Sequence, residues 1–200
     1  MPSDQVDTGA LATPVALDSA GDVADSVYSG NHFTDVGGQC IDLDGFHDGQ
    51  VTDNSCINQS PLEVYPFLHT GIVFGNSFPD MRPGRVLVSG NVIQGFGYGG
   101  IFLIGEDSRI VDNKFIDINR SHCTGKAGVP RCNYALEEPG MLRSGIYLAG
   151  HAARPAQTRA NVIQQNFVSG FGARQWCVAA GPGVTRAEND IRQNKCVDLP

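Results

Sequence analysis

Two pairs of carboxylates in this 200-residue chain have spacings that suit glycoside hydrolysis. That reaction uses two carboxyl groups, about 5 Å apart when the configuration of the sugar is retained and roughly 6.5–9.5 Å apart when it is inverted. Asp42 and Asp44 alternate with apolar residues, and two residues of extended chain span about 7 Å. Glu106 and Asp107 stand side by side at a turn that follows an apolar run. Solvated turn charge is the alternative interpretation of both pairs.

A histidine next to an aspartate, His47-Asp48, is a third candidate group. An aspartate can orient an imidazole so that it acts as a base, although a polar turn between Gly45 and Gly49 would look the same. The oxygen-bearing side chains of 42–48 also resemble those of a calcium loop, without its final bidentate glutamate. Ca²⁺ is therefore a candidate cofactor. No cysteine pair has zinc-finger spacing, so a structural zinc site is not expected.

Short repeats would hold these residues in place. The pattern (V/I)-x-x-N-x-apolar occurs five times, with a sixth copy that begins at a tyrosine, and a motif close to G-I-x-(L/F)-x-G precedes each copy after the first. Self-similarity at this period, with alternating strands and no helical periodicity, predicts a solenoid. We predict an all-β fold, a right-handed parallel β-helix of about five to six coils. The repeated asparagines are Asn31, Asn54, Asn91, Asn113, Asn166 and Asn194.

Each repeated asparagine is predicted to be structural. Asparagine tolerates the left-handed backbone that a bend between strands needs, and stacked asparagine amides can form a hydrogen-bonded ladder. The predicted β-helix covers 15–200, and residues 1–14 would be an N-terminal extension or cap. The chain is alternatively the C-terminal part of a longer β-helix. Open coil ends would allow oligomers to form.

Insertions predict a trough over the third coil. The segments after the second and fourth asparagines are long and the segment after the third is short, so 58–70 and 119–143 would form two walls. Exposed aromatic rings on the floor would pack against sugar faces. The alternative is that the long loops cover these rings as a second small core. The predicted substrate-binding residues are Tyr98, Phe102, Tyr147, His47, His151 and Glu137.

Composition restricts the partners. The net charge is -7 and there is no basic run, which argues against nucleic acid because phosphates need a positive stripe. No apolar run approaches the ~20 residues that span a bilayer. Cys123 and Cys132 share a long irregular loop and could form a disulfide, which would indicate an oxidising compartment. Cys56, Cys177 and Cys196 occupy apolar slots, which favours their interpretation as small buried hydrophobes.

Together, the two repeat motifs resemble the right-handed parallel β-helix repeat family, the pectate-lyase-like superfold, over about Val15 to Val197. The segment 41–49 is similar to segments of secreted bacterial members. The resemblance implies an extracellular or periplasmic protein and a polysaccharide partner. Family members include lyases, glycoside hydrolases and epimerases, besides non-catalytic surface proteins. By position, the arginine base of pectate lyases would correspond to Arg109 or Arg143.

These observations lead to two hypotheses. The first is a secreted β-helix that cleaves polysaccharide in the trough over the third coil, as a lyase or a glycoside hydrolase. The second is a non-catalytic module that binds a glycan or a partner, or that serves as a structural segment. The first hypothesis predicts that five side chains meet in one cleft: Glu106, Asp107, Arg109, Arg143 and Tyr147.

Overall fold

The computed structural model of the protein describes residues 15–62, 69–76, 81–124, 132, 139–150 and 157–200. Within these ranges, eighteen short strands form three parallel sheets, A, B and C. Each coil contributes one strand to each sheet in turn. The fold is therefore the predicted right-handed parallel β-helix, with six coils. The predicted extension at 1–14 lies outside the described residues.

Strands follow one another along the chain in the order A, B, C, and equivalent strands of successive coils pair in register. In the part of the chain that the structure describes, two short 3-10 helices, Pro139–Leu142 and Arg186–Glu188, lie in the loops. Sheet A contains β1 (Leu17–Ala24), β4 (Ile41–His47), β7 (Ile72–Gly75), β10 (Ile101–Leu103), β13 (Ile146–Leu148) and β16 (Val178–Ala180). Sheet B contains β2 (Val27–Ser29), β5 (Gln50–Thr52), β8 (Leu87–Ser89), β11 (Arg109–Val111), β14 (Val162–Gln164) and β17 (Asp190–Arg192). Sheet C contains β3 (His32–Thr34), β6 (Ser55–Ile57), β9 (Val92–Gln94), β12 (Lys114–Ile118), β15 (Phe167–Gly170) and β18 (Lys195–Asp198).

The core is a stack of apolar side chains inside the coils. Strand alternation sends every second residue inward, and in-register pairing places like residues above one another. On sheet A, for example, Leu43, Phe74 and Leu103 occupy equivalent positions and are all buried. The residues between them face outward. The outward side chains of sheet A are therefore the ones that could contact a ligand.

The predicted asparagine ladder is confirmed. The backbone N–H and the side-chain amide of Asn54 both donate to Oδ1 of Asn91, at 3.0 and 2.9 Å, and the amide also donates to the carbonyl oxygen of Tyr28. The same bonds recur from Asn31 to Asn194. In all six coils, two residues link the sheet B strand to the sheet C strand, and the second of them is the ladder asparagine.

The left-handed residue at this corner is not the asparagine, so that part of the prediction is wrong. The residue before the asparagine has the positive φ, for example 56° at Asp53, 58° at Gln165 and 69° at Gly90. Because this residue makes the bend, the asparagine can turn its side chain inward. Its amide then bonds to the neighbouring coils instead of to its own turn.

All six cysteines form disulfides. The predicted bridge between Cys123 and Cys132 is confirmed, with Cα atoms 5.4 Å apart. The interpretation of Cys56, Cys177 and Cys196 as unpaired buried hydrophobes is wrong. The other two bridges are Cys40–Cys56 and Cys177–Cys196, with Cα separations of 6.2 and 5.8 Å.

These two bridges cross the interiors of the second and sixth coils. The position before the sheet A strand, which Cys40 occupies in the second coil, is glycine in the third, fourth and fifth coils. A Cβ at Gly71 would lie 2.5 Å from Ile93, and one at Gly100 would lie 2.5 Å from Phe115. Glycine thus leaves room for a large sheet C side chain. Where that side chain is a cysteine, a second cysteine replaces the glycine and fills the same space with a covalent bond.

Candidate functional site

A group of carboxylates lies on the outer face of sheet A in the first two coils. Asp42 and Asp44 are half-buried on β4 and point away from the core, because Ile41 and Leu43, which alternate with them along the strand, point inward. Asp18 on β1 is in register with Asp42. Burial, followed by the negative charges of Asp44 and Asp18, raises the pKa of Asp42 from 3.8 to about 7. At neutral pH, Asp42 therefore retains a proton for a substantial fraction of the time.

The third coil fits closely against this group. Gly75 on β7 is in register with Asp44, and a methyl group at Gly75 would collide with Oδ1 of Asp44. Glycine is therefore required for the observed position of that carboxylate. The next residue, Asn76, is buried and its side-chain oxygen has no hydrogen-bond partner among the described residues. Such unpaired buried oxygens are uncommon in folded proteins.

His47 belongs to a charged row at the corner between sheets A and B. Its ring nitrogens lie 2.7 Å from Oδ2 of Asp48 and 3.0 Å from Oδ1 of Asp22. Asp48 also accepts two hydrogen bonds from Arg85, at 2.5 and 2.6 Å. The hydrogen bonds from Arg85, and to a lesser extent the one to His47, hold the pKa of Asp48 well below its usual range. Asp48 thus bonds to both Arg85 and His47.

Glu106 and Asp107 continue the same row. Oε2 of Glu106 lies 3.1 Å from Nε of Arg159. The hydrogen bond to Asp48 is the main cause that raises the pKa of Arg85, and the negative charges of Asp107 and Glu106 add to it. Asp107 has a φ of 57° and makes the turn that Asp48 and Arg85 make in earlier coils. The structure thus brings His47, Glu106 and Asp107 to one corner, where His47 and Glu106 have salt-bridge partners. Arg109 begins β11 just beyond this corner and is exposed.

Arg143 precedes β13, so it lies at the N-terminal end of the sheet A strands, opposite the corner that holds Glu106 and Asp107. Its guanidinium is 4.4 Å from the centre of the Trp176 ring and donates a hydrogen bond to the carbonyl oxygen of Thr124. Burial lowers the pKa of Arg143, while Tyr147 opposes the change. Of the five side chains that were predicted to share a cleft, the structure thus places Arg143 beside Tyr147. Glu106 and Asp107 follow the far end of the neighbouring strand.

The aromatic side chains of the expected trough floor are buried. Tyr98, Phe102 and Tyr147 are only 3%, 6% and 2% exposed, so they present no open face to a sugar. Phe102 and Tyr147 pack together with ring centres 6.0 Å apart, in a cluster with Ile104 and Ala149. The second small core, which the sequence left open as the alternative, is what forms on this face. Glu137 and His151 lie outside the described residues.

Sequence reasoning missed Asp18, which completes the carboxylate group. The available signal was the likeness of Leu17-Asp18 to Ile41-Asp42 at the starts of successive sheet A strands. Reasoning by repeat also missed Arg85 as the partner of Asp48. Asp48 and Arg85 occupy equivalent positions at this corner in successive coils. That equivalence becomes apparent only from their left-handed backbone conformation.

Neither family models, curated proteins nor solved structures yield a match to this chain. Within the described ranges, no helix combines the length and apolar character that crossing a bilayer requires. In the same ranges, no three His, Cys, Asp or Glu side chains converge as metal ligands would.

Proposed function

We propose that this protein hydrolyses a polysaccharide on the outer face of sheet A, with Asp42 as the general acid and Asp44 as the general base. The observation that carries the proposal is the pairing of two half-buried outward carboxylates, one of which holds its proton near neutral pH. Their positions two residues apart on one strand separate them by roughly 7 Å. That separation falls in the range of inverting glycoside hydrolases.

The reaction would proceed in one displacement. Asp42 would transfer its proton to the glycosidic oxygen as the bond from that oxygen to the anomeric carbon breaks. Asp44 would take a proton from the water that attacks the anomeric carbon from the opposite side. A general acid is most effective when its pKa lies close to the working pH, which fits Asp42 better than an ordinary carboxyl group.

The parallel β-helix supports this assignment by analogy, because the proposed family, the pectate-lyase-like superfold, includes polysaccharide-cleaving enzymes. The three disulfides support an extracellular or periplasmic location, since such bonds persist in oxidising compartments. The floor of the predicted trough lies on β10, which belongs to the fourth coil of the structure, whereas the proposed site lies on β1 and β4 in the first two coils. The predicted floor is excluded because it is buried.

The test measures new reducing ends across a panel of polysaccharides. Asp42→Asn and Asp44→Asn should each lower the rate at least about 100-fold, as expected for removal of acid–base catalysis. The rate of the wild-type protein should fall as the pH rises above 7, because Asp42 then loses its proton. Asp25→Asn is the matched control, since Asp25 is exposed and its left-handed backbone suits asparagine. Full activity in Asp42→Asn would refute the proposal.

A lyase is the second candidate, and one observation favours it. Arg143 is partly buried, its Nε has no hydrogen-bond partner among the described residues, and its pKa is lowered. A less basic guanidinium can more readily remove the proton α to a uronate carboxyl group. Gain of ultraviolet absorbance from unsaturated sugars, abolished in Arg143→Lys, would support this candidate. No product of either kind from folded protein would favour the non-catalytic module that binds a glycan or a partner.

A further inference from the structure

A cavity of about 310 Å³ opens at the corner between sheets C and A. Pro61 and Leu62, which follow the last strand of the second coil, line it together with residues 117–120 and His122, at and just after the end of β12. Phe171 and Pro200, which follow the sheet C strands of the next two coils, complete the lining. Ligand sites in proteins begin at roughly 300 Å³, so this cavity suits a molecule the size of one or two sugar rings.

The backbone that lines the cavity has a shape that the coil does not need. Most of the left-handed non-glycine residues in the described ranges recur at equivalent corner positions of successive coils, as Asp53, Asp112 and Gln165 do. Asn119 and His122, with φ of 55° and 54°, have no such counterparts, and both line the cavity. Backbone held in a disfavoured region tends to occur at functional sites.

Specific bonds hold this backbone in place. The amide of Asn119 donates to the carbonyl oxygens of Cys123 and Phe171, and its Oδ1 accepts a hydrogen bond from the backbone N–H of Cys123. Cys123 is in turn tied to Cys132 by a disulfide. The wall is therefore organised before any ligand arrives, which reduces the entropy cost of binding.

The side chains supply a ring face, hydrogen-bond groups and balanced charge. The imidazole of His122 stacks on Phe171 with centres 4.4 Å apart and planes 13° apart, and its ring nitrogens have no hydrogen-bond partner among the described residues. Arg120 donates to the carbonyl oxygens of Ser60 and Gly95, and its Nε lies 3.6 Å from Oδ2 of Asp117. The guanidinium charge is thus offset by a carboxylate that also lines the cavity.

From these features we infer that the cavity binds an uncharged sugar unit. A stacked ring pair provides a surface for the apolar face of a sugar, Asp117 provides acceptors for hydroxyl groups, and His122 provides a donor or acceptor. An anionic sugar fits less well, because Asp117 would repel it and already neutralises Arg120. The inference does not require Asp42 and Asp44 to be catalytic, since none of the residues that line the cavity belongs to β4.

The experiment is saturation-transfer NMR on the folded protein with a panel of free neutral monosaccharides, and with galacturonate as the charged comparison. Neutral sugars should receive saturation and should bind more tightly than galacturonate. Asp117→Asn should weaken neutral-sugar binding at least about tenfold, because a bond to a charged acceptor is lost. It should also improve galacturonate binding, because Arg120 is no longer neutralised. Asp112→Asn, at an equally left-handed aspartate away from the cavity, should change neither.

A second variant, His122→Asn, tests the ring face while keeping a residue that tolerates the left-handed backbone. It should also reduce binding at least about tenfold, given the usual contribution of aromatic packing and a hydrogen bond. If it fails to fold, His122→Gly replaces it. Absence of saturation for every neutral sugar, preference for galacturonate, or unchanged binding in both cavity variants would overturn the inference.

Discussion

Replacing Asp42 with asparagine should stabilise the protein, by an amount that depends on pH. In the folded chain the pKa of Asp42 is about 7, whereas in a free side chain it is 3.8. The folded state therefore binds the proton more tightly than the unfolded state. Stability that comes from this group is fully present below pH 3.8 and is lost as the pH rises to 7. Asparagine has no charge to lose, so the variant avoids this cost.

The magnitude follows from the two pKa values. They differ by about 3, and each tenfold change in a proton-dissociation constant corresponds to about 1.4 kcal/mol, which gives roughly 4 kcal/mol as an upper value. The stabilisation by Asp42→Asn should thus be near zero at about pH 4 and on the order of 3–4 kcal/mol at about pH 8.5. Removal of charge repulsion with Asp44 and Asp18 contributes to the same difference.

Urea unfolding with the disulfides intact, followed by far-ultraviolet circular dichroism, measures this difference at both pH values. Urea is preferable to guanidinium because it does not screen charges. Asp25→Asn removes an equal charge from an exposed position and should give the same small change in free energy of unfolding at both pH values. An equal gain for Asp42→Asn at low and high pH, or no gain at either, would show that Asp42 ionises as freely as a solvated carboxyl group.

Three further predictions concern the coil and the carboxylate group. Asn113→Ala, in the middle of the ladder, should lower the free energy of unfolding by about 3–5 kcal/mol, because it leaves buried polar groups of neighbouring coils unpaired. Asn194→Ala, at the half-exposed end of the ladder, should lower it by only about 1 kcal/mol in the same urea assay. The double variant Cys177→Gly/Cys196→Val copies the pair Gly145 and Val168 of the fifth coil, whereas Cys177→Ser/Cys196→Ser leaves the space between the coil walls poorly filled. Both variants lose a disulfide worth about 3 kcal/mol, but the first should have the higher midpoint of thermal unfolding. Equal midpoints would contradict the space-filling argument. Gly75→Ala should displace the Asp44 side chain and abolish hydrolysis while the circular dichroism spectrum stays unchanged; retained activity would show that Asp44 tolerates a different position.

The fold could be predicted because the repeated asparagines form hydrogen bonds between neighbouring coils. Each ladder asparagine bonds to the equivalent asparagine of the next coil, so the residue recurs wherever a coil recurs, whatever the length of the intervening loop. The left-handed residue could not be identified in the same way. Glycine, aspartate and glutamine all serve at that position, because it needs only a positive φ and not a particular side-chain bond.

The disulfides illustrate a limit of considering residues one at a time. Cys56 and Cys196 each look like ordinary apolar residues in their own repeat. The informative signal is joint, since each is accompanied by a cysteine, Cys40 or Cys177, where other coils have glycine. A comparison of pairs across the coil interior would have identified both bridges.

The candidate site was harder to predict than the fold, because the alternation of residues along a strand predicts which side chains point outward but not which of them are exposed to solvent. Phe102 and Tyr147 do point away from the core of the coil, as expected, yet other side chains cover them. Asp42 and Asp44 point outward as expected and remain half-exposed. Whether a long loop leaves an outward residue open or covers it depends on packing between loops, and the repeat pattern contains no information about that packing.

The two-residue link between sheets B and C has a consequence for how such a chain can vary. Five ladder intervals range from 22 to 53 residues, yet this link never changes length. Every additional residue is accommodated at the other two corners, where the backbone leaves the sheets without disturbing the stacking of the coils. The β-helix therefore behaves as a scaffold with interchangeable loops. Segments could be exchanged at those two corners to build new surfaces, while the asparagine ladder would keep each coil in register.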